Sequence, residues 1–109
     1  MVAQHEDVPP FEIAETDGPD GVRVTVRGEL DMANAFELTR AIVAAGMRAP
    51  GEAVQVDLSG IVYMDSTGVR ALLDAGAASR EDVVLVRPSQ AVLRVLDIVG
   101  LTDRFRIED

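Results

Sequence analysis

The chain has no cysteine, no lysine and a single histidine, His5. Without cysteine there are no disulfides, no thiolate catalysis and no sulfur-ligated metal, which accords with a reducing compartment. Without lysine there is no Schiff-base amine and no phosphate-loop lysine, and all ten basic residues are arginine. His5 precedes the first expected strand, so no Ser-His arrangement can be assembled on the folded scaffold. Long apolar runs are missing as well: nothing approaches the roughly 18 residues that a membrane span requires. The opening MVAQHEDVPP lacks the basic start and apolar core of a signal peptide. The expectation is a cytoplasmic protein with no membrane insertion, no metal site, no bound cofactor and no catalytic residues of its own.

What the chain does have is acid. Nineteen Asp and Glu against ten Arg give a net charge of −9, which disfavours direct nucleic-acid binding, because phosphate contacts require basic clusters. An acidic surface provides solubility and can also steer the chain toward a basic protein surface. A length of 109 residues with 48% hydrophobic content suits one domain with one core. The expected division is a flexible arm over residues 1–10 and a single domain over residues 11–109.

Hydrophobic spacing alternates between strand and helix periods. Phe11 and Ile13 face one way in a first short strand, and Thr16-Asp17-Gly18-Pro19-Asp20-Gly21 reads as a turn. Val22, Val24 and Val26 alternate with polar residues in a second strand, which forms an antiparallel hairpin with the first. Asp31 is placed to cap a helix carrying Leu38, Ala41, Ile42 and Ala45 on one face and stopping near Gly46. Val54, Val56 and Leu58 share a face of a third strand, and Val69, Leu72, Leu73 and Gly76 fall at helical spacing after it. Val83 to Val86 is a continuous apolar run, as in a central strand covered on both faces. Ser89 can cap a third helix with Val92, Val95, Leu96 and Val99 inward, and Phe105 and Ile107 can add a last strand. The reading is a single α/β domain. It has four to five strands in a mostly parallel sheet with an N-terminal antiparallel hairpin, packed against three to four helices.

The segment Met64-Asp65-Ser66-Thr67-Gly68 leads from the third strand into the second helix and exposes a hydroxyl at the junction. It lacks the first glycine of a nucleophile elbow, and no glycine-rich phosphate loop follows the early strands. Ser66 is therefore either a helix cap or a residue that another protein phosphorylates. Of the apolar pair before it, Met64 is the expected exposed anchor for a partner, with Tyr63 packing inward. Gly68 either lets a partner approach or relieves crowding where strand meets helix.

Gly28-Glu29-Leu30-Asp31 after the second strand, Val56-Asp57-Leu58-Ser59 in the third, Met64 to Gly68 opening a helix, and Val99-Gly100-Leu101 near the end appear in a telling order. Together they resemble the STAS domain, and more narrowly the stand-alone bacterial anti-sigma factor antagonists, over about residues 11–107. The resemblance implies a partner switch. The unphosphorylated antagonist binds an anti-sigma factor that is also a serine kinase and releases the sigma factor. Phosphorylation ends that binding, and a serine phosphatase resets it. The implied acceptor is Ser66, with Thr67 second; the implied partner surface comprises Asp31, Met64, Asp65, Ser66, Thr67 and Gly68. A STAS scaffold subunit of a sensory assembly or of a lipid-transport ATPase complex would share the motif without needing phosphorylation.

Overall fold

Glycine and proline at Gly18-Pro19-Asp20-Gly21 turn the chain back on itself, pairing β1 (Glu12–Gly18) antiparallel with β2 (Gly21–Leu30). Gly21 adopts φ +111, and a Cβ there would lie 2.8 Å from the Cβ of Glu52, so the turn requires glycine. The computed structural model describes residues 9–109, so most of the expected arm, His5 included, lies outside the described residues. After the hairpin the chain alternates helix and strand: α1 (Ala35–Arg48), β3 (Val54–Met64), α2 (Ser66–Ala78), β4 (Val83–Val86), α3 (Gln90–Ile98), a 3-10 turn (Thr102–Arg104) and β5 (Arg106–Glu108). The five strands lie in sequence order, and every pairing after the hairpin is parallel.

The strand periods explain the layers. Val22, Val24, Val26, Val54, Val56, Leu58 and Leu85 join Leu38 and Ile42 of α1, Val69 and Leu72 of α2, and Val92 and Leu96 of α3 in one apolar cluster. All three helices therefore cover the same face of the sheet. Fully burying a side chain such as Leu38 or Ile42 contributes roughly 1.5–3 kcal/mol, so the apolar stripe of α1 is enough to dock that helix. Val84 and Val86 point away from the cluster yet are buried, paired across the sheet with Gln55 and Asp57 on one side and Arg106 and Glu108 on the other. No helix among the described residues is long and apolar enough to cross a membrane.

Strand β3 extends well beyond its neighbour β4, which pairs only with Val54 to Asp57. Its register against β2 slips twice, from Thr25↔Asp57 to Arg27↔Gly60 and from Gly28↔Ile61 to Glu29↔Tyr63. Each slip adds one residue to β3, as in a β-bulge. Two extra residues restore the original alternation, so Met64 faces the core like Val54, Val56 and Leu58.

Two expected helix boundaries shift. Helix α1 begins at Ala35 with Asn34 as its N-cap, not Asp31, because a turn intervenes: the Asp31 carbonyl accepts the Asn34 and Ala35 N–H groups at 3.1 and 2.8 Å. Helix α3 ends at Ile98, which makes Val99 its C-cap and leaves it exposed rather than inward.

Candidate functional site

The site is built where β2 and β3 end side by side. Leu30 pairs with Met64, and the Asp65 N–H donates to the Leu30 carbonyl at 3.4 Å, so Asp31 and Asp65 leave adjacent parallel strands at one edge. Asp65, in extended conformation, is the N-cap of α2; its Oδ1 accepts the Thr67 N–H at 2.9 Å and also the Thr67 hydroxyl. The cap is thus Asp65, not Ser66, since the carboxylate sits one position earlier where it reaches the orphan N–H of the first turn. That releases Ser66. It is the first residue of α2 and exposed, and its hydroxyl has no hydrogen-bond partner among the described residues. Thr67 differs, being half-buried with its hydroxyl committed to Asp65.

Two of the expected partner contacts lie beneath the surface instead. Met64 is 3% exposed, whereas Tyr63 is 49% exposed, the reverse of the expected arrangement. The cause is the parity of β3 described above. Gly68 is buried, and a Cβ there would sit 2.5 Å from Met64 Cγ and 3.0 Å from Leu30 Cδ2. Glycine at 68 therefore lets the first turn of α2 settle onto the two strand ends, and no open face remains for a partner to approach.

Asp31 is half-buried, and its carboxylate is held locally by the Ala33 N–H at 3.0 Å. Asn34 fastens the same turn, accepting the Asp31 N–H at 3.0 Å and donating to the Glu29 carbonyl at 2.8 Å. This turn carries Met32, 79% exposed, and leads into Phe36, 71% exposed, in the first turn of α1. Both α1 and α2 follow the carboxyl ends of parallel strands, so Phe36 and Ser66 stand at the same edge. Sequence reasoning missed Met32, Tyr63 and Phe36. Phe36 carried a usable signal, because it falls outside the Leu38, Ala41, Ile42, Ala45 stripe.

Beside Ser66 the end of α3 meets the start of α2 in a shallow groove of about 370 Å3. Val69, Leu73, Val99 and Leu101 make it apolar, and Ser66, Thr67 and Arg70 complete its lining.

A second polar centre lies on the opposite face of the sheet. Asp57 is 3% exposed; its Oδ1 accepts the Ser59 N–H and hydroxyl at 2.9 and 2.7 Å, and its Oδ2 pairs with Arg87 and lies 3.7 Å from Arg23. Burial alone would raise the Asp57 pKa, but hydrogen bonds from Arg87 and Ser59, together with the Arg87 charge, outweigh it and hold the carboxyl below its usual range. Arg87 reaches Asp57 from a left-handed backbone, φ 47, just before Pro88. Among the described residues no group of three or more His, Asp or Glu is arranged to hold a metal ion.

A protein-family model described as "Mlab, STAS domain" matches residues 13–108. An anti-sigma-B factor antagonist of Listeria monocytogenes is 31% identical over 102 residues, covering 91% of this chain and 88% of that protein. One from Staphylococcus epidermidis is 33% identical over 94 residues, covering 83% of this chain and 85% of its own. The crystal structure of an anti-sigma factor antagonist from Mycobacterium paratuberculosis is similar at TM-score 0.77 and 26% identity, covering 91% of this chain and 86% of that one.

Proposed function

The chain belongs to the STAS domain family, and within it we propose that the protein is an anti-sigma factor antagonist switched at Ser66. In this reading the unphosphorylated protein binds an anti-sigma factor serine kinase in the cytoplasm and so releases the sigma factor. The kinase then takes the Ser66 hydroxyl proton onto a base of its own and transfers the γ-phosphoryl of ATP to Oγ, ADP leaves, and the bound antagonist is released until a serine phosphatase removes the phosphate. The chain itself contributes only the accepting oxygen. The observation that carries this reading is the division of labour at the helix start: Asp65 caps, Thr67 is tied to the cap, and Ser66 stands exposed with a hydroxyl that has no partner among the described residues. Asp31, Asp65 and the exposed Met32, Phe36 and Tyr63 give the kinase an acidic and apolar surface at the same edge.

Magnitudes favour an interface switch over an unfolding switch. A phosphate adds roughly −1.5 to −2 charges. At the N-terminus of α2 it gains about 0.3–1 kcal/mol from the helix dipole, so the fold tolerates it. In the solvated free domain, repulsion from a carboxylate about 4 Å away costs only roughly 1 kcal/mol per unit charge, but inside an interface, at an effective dielectric near 20, it costs roughly 4 kcal/mol, so a complex that encloses Asp31 and Asp65 beside the phosphate does not tolerate it. A loss of only about 3 kcal/mol weakens binding more than 100-fold.

The test is to incubate the protein with its anti-sigma kinase and ATP and to locate the phosphate by mass spectrometry. Phosphate on Ser66, absent from Ser66→Ala, is expected. Labelling confined to Thr67 would move the acceptor by one residue. No labelling, with binding indifferent to Ser66→Asp, would overturn the switch and favour docking without phosphorylation, as in a scaffold subunit.

A further inference from the structure

Arg70 stands one helical turn after Ser66 and, among the described residues, is the only charged side chain lining the groove onto which Ser66 opens. Residues i and i+4 are neighbours on a helix surface, so Ser66, Arg70 and Asp74 form one row along α2. In the unmodified chain Arg70 Nε lies 3.5 Å from Asp74 Oδ1, and both side chains are largely exposed. An exposed pair of this kind holds its partners weakly, leaving the arginine able to turn toward either end of the row.

We infer that Arg70 is a phosphate clamp: when Ser66 carries a phosphate, the guanidinium leaves Asp74 and pairs with the phosphate across one helical turn. The inference rests on Ser66 being the acceptor. Three physical differences favour the exchange. The phosphate bears up to twice the charge of the Asp74 carboxylate, and its oxygens match the guanidinium fork. Helix polarity adds to this, because an acidic group four residues before a basic one is the better order, and the Arg70 to Asp74 pair has the reverse order. Finally, the other charges near the phosphate are acidic: Asp65 at the helix start, Asp31 on the adjacent strand end and Asp74 in the row. The end of α3 contributes only the apolar Val99 and Leu101 to the groove. Arg70 is thus the cation that the groove beside Ser66 supplies, among the described residues. Its consequence is a phosphate held along α2 and kept doubly charged to lower pH, which maintains the repulsion that separates the partners.

The experiment needs neither the kinase nor the partner. Phosphoserine is installed at position 66 of the full chain during translation, and the phosphate is titrated by 31P NMR at low salt in the parent protein, Arg70→Ala and Arg94→Ala. Arg94 lies on α3 and lines a different surface hollow, so it controls for the loss of one positive charge. The expected result is a second phosphate pKa about 0.3–1 unit higher in Arg70→Ala than in the parent, with little movement in Arg94→Ala. Raising the salt to 1 M should collapse the difference. An unchanged pKa in Arg70→Ala, or an equal rise in Arg94→Ala, would overturn the clamp. Failure of the antagonist reading would show separately, as absence of kinase labelling at Ser66.

Discussion

The same three-residue device occurs twice on β3 and its exit. In Asp57-Leu58-Ser59 and in Asp65-Ser66-Thr67, an aspartate Oδ1 accepts both the N–H and the hydroxyl of the residue two positions on. Around the first copy, two arginines reach the other carboxylate oxygen, the aspartate itself is buried and the middle residue Leu58 is fully buried. Around the second, no arginine pairs with Asp65 among the described residues, and the middle residue Ser66 is exposed. The local turn chemistry is therefore only a lock. Under the proposed switch, what would distinguish structure from signal is the residue in the middle and whether the carboxylate is compensated.

If that contrast is right, the buried copy matters most to stability. Replacing Asp57 by Ala removes charge-assisted hydrogen bonds and leaves Ser59 unpartnered, an expected loss of roughly 1.5–3 kcal/mol in denaturant unfolding at neutral pH. Because the folded pKa of Asp57 lies below the usual 3.8, its contribution is complete above that value and is lost as pH falls through the folded one. The stability gap between parent and Asp57→Ala should accordingly narrow on acidification below about pH 4 and stay constant above it. Gly68→Ala should follow, at about 1–3 kcal/mol, because its Cβ is driven against Met64. The open copy should cost less: Asp65→Ala removes a helix cap worth about 1 kcal/mol. Thr67→Val, which deletes only the hydroxyl, should cost about 0.5–1.5 kcal/mol and leave Ser66 labelling by the kinase intact. Smallest of all is phosphate on Ser66: in the solvated free domain the dipole gain of about 0.3–1 kcal/mol and the roughly 1 kcal/mol repulsion from a nearby carboxylate nearly cancel, so the melting temperature should change little. A large destabilisation there would erase the distinction between the two copies.

Much of this contrast lay beyond the reach of spacing. The alternation of Val22, Val24 and Val26 and the stripes Leu38/Ile42/Ala45 and Val69/Leu72 report local periodicity, and the sheet and helices follow them; the turn expected over Thr16 to Gly21 narrows to Gly18–Gly21, because Thr16 and Asp17 pair with Arg23 and Val22. The strand-to-helix junction at Ser66 was legible for the same reason, being contiguous in sequence, but the cap is Asp65 and not the Ser66 that the sequence offered. Asp57 was not, because its partners Arg23 and Arg87 lie 34 residues before and 30 after it and meet only through strand order. Met64 was misplaced even though the alternation of Val54, Val56 and Leu58, carried on to residue 64, puts it inward; the two bulges cancel, and the departure from that count at Ile61 lies between them. Met32 escaped notice because the turn fixed by Asp31 and Asn34 puts it before a helix that starts only at Ala35, whereas Phe36 was readable from its place outside the apolar stripe.

The central claim is that a charge at Ser66 breaks an interface without disturbing the fold. Isothermal titration of the cognate anti-sigma factor with the unmodified protein and with protein carrying phosphoserine at 66 tests it most directly. A loss of affinity above 100-fold, about 3 kcal/mol, with a melting temperature that changes little is the predicted result. Equal affinities, or a weakened complex that tracks a loss of folding, would contradict it.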